Sequence, residues 1–413
     1  MKIKIKSLGC RLNQAEIESV STALRMSGHE ITVNGDADIV IINSCAVTRR
    51  SEKKVNSLIN ASLSGRGEVV VTGCASGEVK RDGRITYISN DYKYLIPEII
   101  QKRAAFSEMN YYPPSRFDYP SPVLSSTVRA NLKIQDGCDN FCSYCVIPFQ
   151  RGAPQSKPAG QAISELRELI ESGFREIILT GVNTGKYDDR NAGLASLIET
   201  ALGLDGEFRL HITSLNPDSL NSRLVSLFSH PKMVKHLHLS LQSGSGTVLE
   251  RMKRPYKKED YIAAVSEIRG AVPGFNLTTD IIVGFPDETD REFEETLRLA
   301  RDAAFSHIHT FRYSPRPGTA AFEMGDNVSA KVKRERSGEL IRLSLEMKAD
   351  YFKSFNGGRS IFLSEHAAGG VTRGFNEYYA PIEVEGEFEP NRFLEVVASF
   401  NEKDLKLSGA ASV

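Results

Sequence analysis

The chain has 413 residues, 40% hydrophobic and 25% charged, with 52 Lys/Arg balancing 52 Asp/Glu. That length exceeds one compact core and predicts two or three domains. The zero net charge and pI near 7.1 exclude a globally basic field for nucleic acid, though not local basic patches.

From the N-terminus, "KIKIKSLG", "ADIVIINS" and "GEVVVTG" read as strands. The helical patterns "NQAEIESVSTALRMSG" and "RRSEKKVNSLINASLSG" lie between them, each ending at glycine. This alternation predicts an α/β domain on a parallel sheet over residues 1–110. "YYPPSRFDYPSP" reads as a linker (111–124), because four prolines in twelve residues suit neither helix nor central strand. From "RANLKIQDG" onward, strand-like runs recur as "REIILTGVN", "FRLHITSLN", "HLHLSLQSG", "LTTDIIVGFP" and "HIHTFRYSP", with helical runs between them. Six such units predict a closed or three-quarter (β/α)6 barrel over 125–355, ending in a charged helix from Ser329 to Phe355. Short strands and glycine turns after Gly357 predict a small all-β barrel over 356–413. No run approaches the ~18 apolar residues of a membrane span, and "MKIKIKSLGC" lacks the apolar core of a signal peptide. A cytoplasmic location is therefore expected, where thiols stay reduced and cysteines serve metals or catalysis.

Three of the six cysteines, Cys138, Cys142 and Cys145, fall within "KIQDGCDNFCSYCVIP". Their C-x3-C-x2-C loop follows the first barrel strand and so belongs at the C-terminal mouth, where barrel active sites are built. Three thiolates suit a 4Fe-4S cluster with one iron left open for a small chelating ligand. A zinc site borrowing a histidine, or a redox pair at Cys142 and Cys145, are the simpler alternatives. The other three cysteines are distant in sequence but share a setting. Cys10, Cys45 and Cys74 each follow a strand and a turn-forming residue, which gathers them at one edge of a parallel sheet. They read either as a second three-thiolate cluster site or as three half-buried core cysteines.

"SLGCRLNQAEIES", "INSCAVT", "VTGCAS", "GCDNFCSYCVIP", "HLHLSLQSGS" and "DIIVGFPDET" resemble the radical S-adenosylmethionine (radical SAM) methylthiotransferases over essentially the whole chain. The resemblance implies two 4Fe-4S clusters: an auxiliary one on Cys10, Cys45 and Cys74, and one on Cys138, Cys142 and Cys145 that binds S-adenosyl-L-methionine. It implies that one SAM methylates sulfur on the auxiliary cluster, while another is cleaved to a radical that abstracts hydrogen from the substrate carbon. It also implies that the β-rich tail is a TRAM domain. By the same resemblance Tyr144 lies beside the SAM adenine, unless it only packs the loop. Thr180, Gly181 and Asn183 of "TGVN" would meet the SAM amino group, although this run departs from the superfamily's commoner "GGEP". Gly284, Phe285 and Pro286 end the fifth barrel strand, where glycine permits close approach of a cofactor or simply a strand-to-helix turn.

Family members modify adenosine beside the tRNA anticodon or an aspartate in a ribosomal small-subunit protein. "HLHLSLQSGSGTVLERMKRPY" and "GFNEYYAPIEV" look most like the enzymes acting on N6-threonylcarbamoyladenosine; isopentenyladenosine and the ribosomal protein are the alternatives. Partners implied are tRNA and an external electron donor of flavodoxin or ferredoxin type. Local basic groups fit a phosphate backbone: Arg49, Arg50, Lys53 and Lys54; Arg251, Lys253, Arg254, Lys257 and Lys258; Lys331, Lys333, Arg334 and Arg336. From Gly357 onward, five Lys/Arg face nine Asp/Glu. That net charge of −4 suits a basic protein better than RNA.

Overall fold

The computed structural model describes residues 1–45, 49–74, 80–102, 114–125, 127–190 and 192–411. The first expected linker residues (111–113) and parts of two cysteine motifs (46–48 and 75–79) lie outside them, as do the side chains of Arg49 and Arg50.

The N-terminal sheet comprises β1 (Lys2–Ser7), β2 (Glu30–Thr32), β3 (Ile39–Ser44), β4 (Glu68–Gly73), β5 (Lys80–Asp82) and β6 (Ile85–Tyr87), in the order β2-β1-β3-β4-β6-β5. All neighbours are parallel except β5–β6. Helices α1 (Arg11–Met26) and α2 (Arg49–Leu63) cover its two faces. Strand β3 is buried throughout, and apolar from Ile39 to Ile42, because both sides are covered. Ile39 and Ile41 share a core with Ile17, Val20 and Leu24 of α1, and Val40 and Ile42 share one with Val55 and Ile59 of α2.

The second unit is a three-quarter barrel. Strands β7 (Arg129–Lys133), β8 (Glu176–Thr180) and β9 (Arg209–Ile212) pair in parallel, as do β10 (His236–His238), β11 (Asn276–Val283) and β12 (His307–Arg312). Bridges at Leu210–Met233 and Leu215–Leu239 join the two trios. Among the described residues no pairing closes β12 onto β7. The expected strand "HLHLSLQSG" is regular only at His236–His238. Beyond it the Leu241 N–H donates to the Thr279 hydroxyl, and Gln242 takes φ +68, so the ladder breaks. The N-terminal unit spans the open side: Asn131 on β7 donates to Glu18 of α1, and Arg316 beyond β12 pairs with Glu52 of α2.

Helix Ala330–Lys353 leads into a closed five-stranded barrel of β13 (Arg359–Ala368), β14 (Val371–Phe375), β15 (Pro381–Glu385), β16 (Phe393–Asn401) and β17 (Lys406–Ala411). Phe362, Ile382, Val384, Val396 and Leu407 fill it, together with Phe352 from the helix. The turn after β14 docks under the three-quarter barrel. The Lys235 N–H donates to the Glu377 carbonyl and Asn276 Nδ2 to the Tyr378 carbonyl. Tyr379 stacks on Phe375 at 4.6 Å, and its ring lies 4.5 Å from His211 and 4.9 Å from His236. Its hydroxyl accepts from Arg11 and Arg129, each at 2.5 Å. The tail thus forms the floor of the barrel lumen. No helix among the described residues is long and apolar enough to cross a membrane.

Candidate active site

Cys10, Cys45 and Cys74 follow β1, β3 and β4, which are adjacent strands of one parallel sheet. Glycine before two of them lets the chain close in. Gly9, at φ +122, would place a Cβ 3.3 Å from Cys45 Cβ, and Gly73, at φ +96, would place one 2.3 Å from the Ser44 carbonyl oxygen. Any side chain there would push the strand ends apart. The Cys74 N–H donates to the Ser44 carbonyl at 3.2 Å, fixing Cys74 beside Cys45. Cys45 and Cys74 are buried, and Cys10 is exposed at the start of α1.

Cys138, Cys142 and Cys145 occupy the loop that leaves β7 at its carboxyl end. The loop is clamped by backbone bonds: Cys138 N–H to the Gly152 carbonyl, Ser143 N–H to the Met252 carbonyl, and Ala321 N–H to the Ser143 carbonyl. Arg254 NH1 lies 3.1 Å from Cys142 Sγ and 3.3 Å from the Tyr144 hydroxyl, while its NH2 donates to Asn216 at 2.6 Å. Tyr144 packs against Phe285, itself fully buried and in contact with Tyr313.

One buried ionic network links Cys74 to Asp136 and Arg151, which flank the Cys138, Cys142 and Cys145 loop. Arg151 Nε donates to Cys74 Sγ at 3.4 Å; its NH1 reaches Glu16 and Asp136, and its NH2 reaches Asn13. Glu16 also pairs with Lys93 at 2.5 Å and with Lys133 at 2.6 Å, and Lys133 pairs with Asp136. Burial alone would raise the Glu16 carboxyl, but Arg151, Lys133 and Lys93 outweigh it and hold it well below the usual range. Three cations face two carboxylates, which leaves one positive charge beside Cys74. A matching cation, Arg254, stands beside Cys142.

The Cys138, Cys142 and Cys145 loop fits ligation of a metal centre. Burial pushes the Cys145 thiol up to about 12 and raises Cys138, so these groups become thiolates only against a strong Lewis acid. At the mouth, both polar atoms of the Asn183 side chain are buried without a hydrogen-bond partner, although its backbone N–H is held by Gln135 at 2.8 Å. Gly181 lies so close to Gln135 that a Cβ would meet it at 2.8 Å, and Thr180 is buried at the end of β8. The unpaired Asn183 amide is suited to a polar ligand.

Gly284 has a different use. At φ +69 its Cβ position is filled by the Lys333 stem at 2.4 Å, and its N–H donates to Glu288. Lys333 accounts for that close approach, while Phe285 and Pro286 are buried in the turn. Several basic residues expected to track RNA are occupied as well. Arg254 turns inward to Cys142, Arg251 pairs with Glu292 at 2.8 Å, Lys333 pairs with Asp326, and Arg336 is buried against Glu288 and Asp290. Helical periodicity cannot distinguish an inward arginine from an outward one when acidic partners come from other segments. Arg151, Glu16 and Gln135, which the motifs alone did not single out, share that difficulty.

A model described as the radical SAM superfamily matches residues 132–300, and one described as uncharacterized protein family UPF0004 matches residues 2–86. The threonylcarbamoyladenosine tRNA methylthiotransferase MtaB of Thermotoga maritima is 36% identical over 402 residues, covering 94% of this chain and 92% of its own. The tRNA-2-methylthio-N(6)-dimethylallyladenosine synthase of Endomicrobium trichonymphae is 30% identical, covering 94% of each. Among solved structures, the cobalamin-dependent radical SAM enzyme OxsB shares the fold at a TM-score of 0.53 and 13% identity. That alignment spans 82% of this chain and 56% of the longer OxsB chain. A radical SAM enzyme uses SAM with an iron–sulfur cluster, and the residues matched by that model include the Cys138, Cys142 and Cys145 loop. The chain belongs to the radical SAM methylthiotransferase family, on its MtaB-type branch.

Proposed function

We propose that this enzyme adds a methylthio group to C2 of N6-threonylcarbamoyladenosine beside the tRNA anticodon, at position 37. The observation that carries the reading is a pair of three-cysteine sets, each at the carboxyl edge of a parallel sheet, with the Arg151 network linking Cys74 to the residues flanking the second set. One set alone serves SAM cleavage; sulfur insertion needs a second site within reach. The substrate assignment is supported by the 36% identity to the Thermotoga enzyme, against 30% and 33% to dimethylallyladenosine synthases.

In this reading residues 1–110 hold the auxiliary 4Fe-4S cluster through Cys10, Cys45 and Cys74, residues 125–355 hold the SAM cluster, and residues 356–413 form the TRAM-like floor. The bound cofactors supply the radical and the sulfur, which no ordinary side chain can. The chain's own residues position and insulate. Arg151 and Arg254 offset thiolate charge, Asn183 and Thr180 receive the amino-acid end of SAM, and Tyr144 with Phe285 walls the loop from water. Exposed Lys53, Lys54, Lys253, Lys257, Lys331 and Arg334 remain to meet phosphates. A flavodoxin- or ferredoxin-type donor would feed electrons in the cytoplasm.

The test is a mass-spectrometric nucleoside profile of tRNA from cells with and without the gene. Loss of 2-methylthio-N6-threonylcarbamoyladenosine, with its unthiolated precursor accumulating, is expected. Loss of the isopentenyl counterpart instead would move the enzyme to the sister substrate, and an unchanged profile would redirect it to a ribosomal protein.

A further inference from the structure

The barrel half without cysteines carries a second constellation of ligating groups. Along β11, Leu277, Ile281 and Val283 turn outward into the core under the helices, as does Ile308 on β12. Alternation along the strands then turns Thr278 and Asp280, His238 and His309 toward the lumen. Register sets His238 beside Thr278 and Asp280 beside His309. One ligand atom from each of His238, Asp280 and His309 lies within 4.8 Å of the other two.

The trio is supported from behind. Thr278 Oγ1 shares a hydrogen bond with His238 Nδ1 at 3.2 Å and another with His236 Nε2 at 3.0 Å. His236 Nδ1 in turn shares one with His211 Nε2 at 2.8 Å. This chain turns the free Nε2 of His238 toward Asp280, which it faces at 3.4 Å. His309 is braced edge-on by His307, with ring centroids 4.5 Å apart. Among the described residues no lysine or arginine pairs with Asp280. Its carboxylate is therefore uncompensated by any fixed cation, on a wall otherwise made of imidazoles.

We infer that His238, Asp280 and His309 bind one divalent first-row transition ion. Two imidazoles and a carboxylate from three neighbouring strands form a facial set that suits iron(II), cobalt(II), manganese(II) or zinc and leaves coordination positions open to the lumen. Ligands at ~2.1 Å from a metal stand roughly 3 to 4 Å apart, so small side-chain adjustments close the trio onto an ion. Thr278 acts as a positioning residue, holding the His238 ring through its other nitrogen. The site is separate from both cysteine sets and is built wholly from residues that they do not use.

The test uses the reconstituted holoenzyme, with its cysteine sites filled and loosely held metal removed, titrated anaerobically with cobalt(II). The wild type is expected to retain about one cobalt per chain after desalting, with weak visible ligand-field bands and unchanged iron content. Asp280→Asn and His309→Ala should lose that cobalt, and Thr278→Ala should weaken binding roughly 10- to 100-fold, each with the iron–sulfur absorption intact. A wild type that retains no cobalt, variants that bind as tightly as the wild type, or bound cobalt with intense thiolate charge-transfer bands would each overturn the assignment.

Discussion

Arg151 Nε lies 3.4 Å from Cys74 Sγ, and the same guanidinium holds Glu16 of α1 and Asp136 of the barrel. The residue that ends the Cys138–Cys145 loop thus also places its guanidinium beside Cys74. Replacing it with methionine would strip Glu16, Asp136 and Asn13 of their guanidinium donors inside a buried network, a loss of roughly 3 to 5 kcal/mol by analogy with broken buried pairs. Denaturant unfolding of Arg151→Met should show that loss. Arg151→Lys keeps the charge but not the fork of donors, and should recover only part of it.

The two cysteine sets should separate by function. Cys142→Ala is expected to abolish SAM cleavage, whereas Cys45→Ala should retain some cleavage and lose sulfur insertion. Iron analysis should fall from about eight to about four per chain in each variant. Equal loss of both activities in the two variants would count against this division of labour.

Arg254 presents a positive charge 3.1 Å from Cys142 Sγ. A nearby cation favours the more negative, reduced form of a cluster. Arg254→Gln should therefore lower the reduction potential of the SAM-site cluster by on the order of 100 mV, the effect of a unit charge a few ångströms away at an effective dielectric near 20. Redox titration followed by electron paramagnetic resonance reads this shift, and an unchanged potential would show the guanidinium to be structural only.

The barrel should weaken in mild acid. Burial holds His211 neutral, lowering it from 6.5 to about 4 despite the opposing pull of Glu176. The unfolded chain therefore takes up the proton first. The stabilisation is complete above pH ~6.5 and is lost as pH falls toward ~4, up to about 3 kcal/mol for this group. Melting temperature measured across that window should drop, and His211→Asn should flatten the dependence.

The elements were legible where local pattern and tertiary fate agree. β3 reads as a buried strand because every residue of "IVIINS" is buried, and the charged helix expected from Ser329 to Phe355 appears at Ala330–Lys353. The cysteine positions were legible because strand–turn–Cys recurs three times. Arg254 and Arg336 were not, since they sit in basic runs yet turn inward to partners from distant segments. His238, Asp280 and His309 are spread over 72 residues, and only parallel register brings them together.

Arg11, Arg129 and Tyr379 come from the three units of the chain and meet at a single phenol oxygen. A truncated chain ending before Gly357 would consequently be a tube without a bottom. Water would reach His211 and His236 from below, and two arginines would lose their common acceptor. A tail exchanged between relatives would have to carry this aromatic stopper with it, whatever else it contributed to gripping RNA.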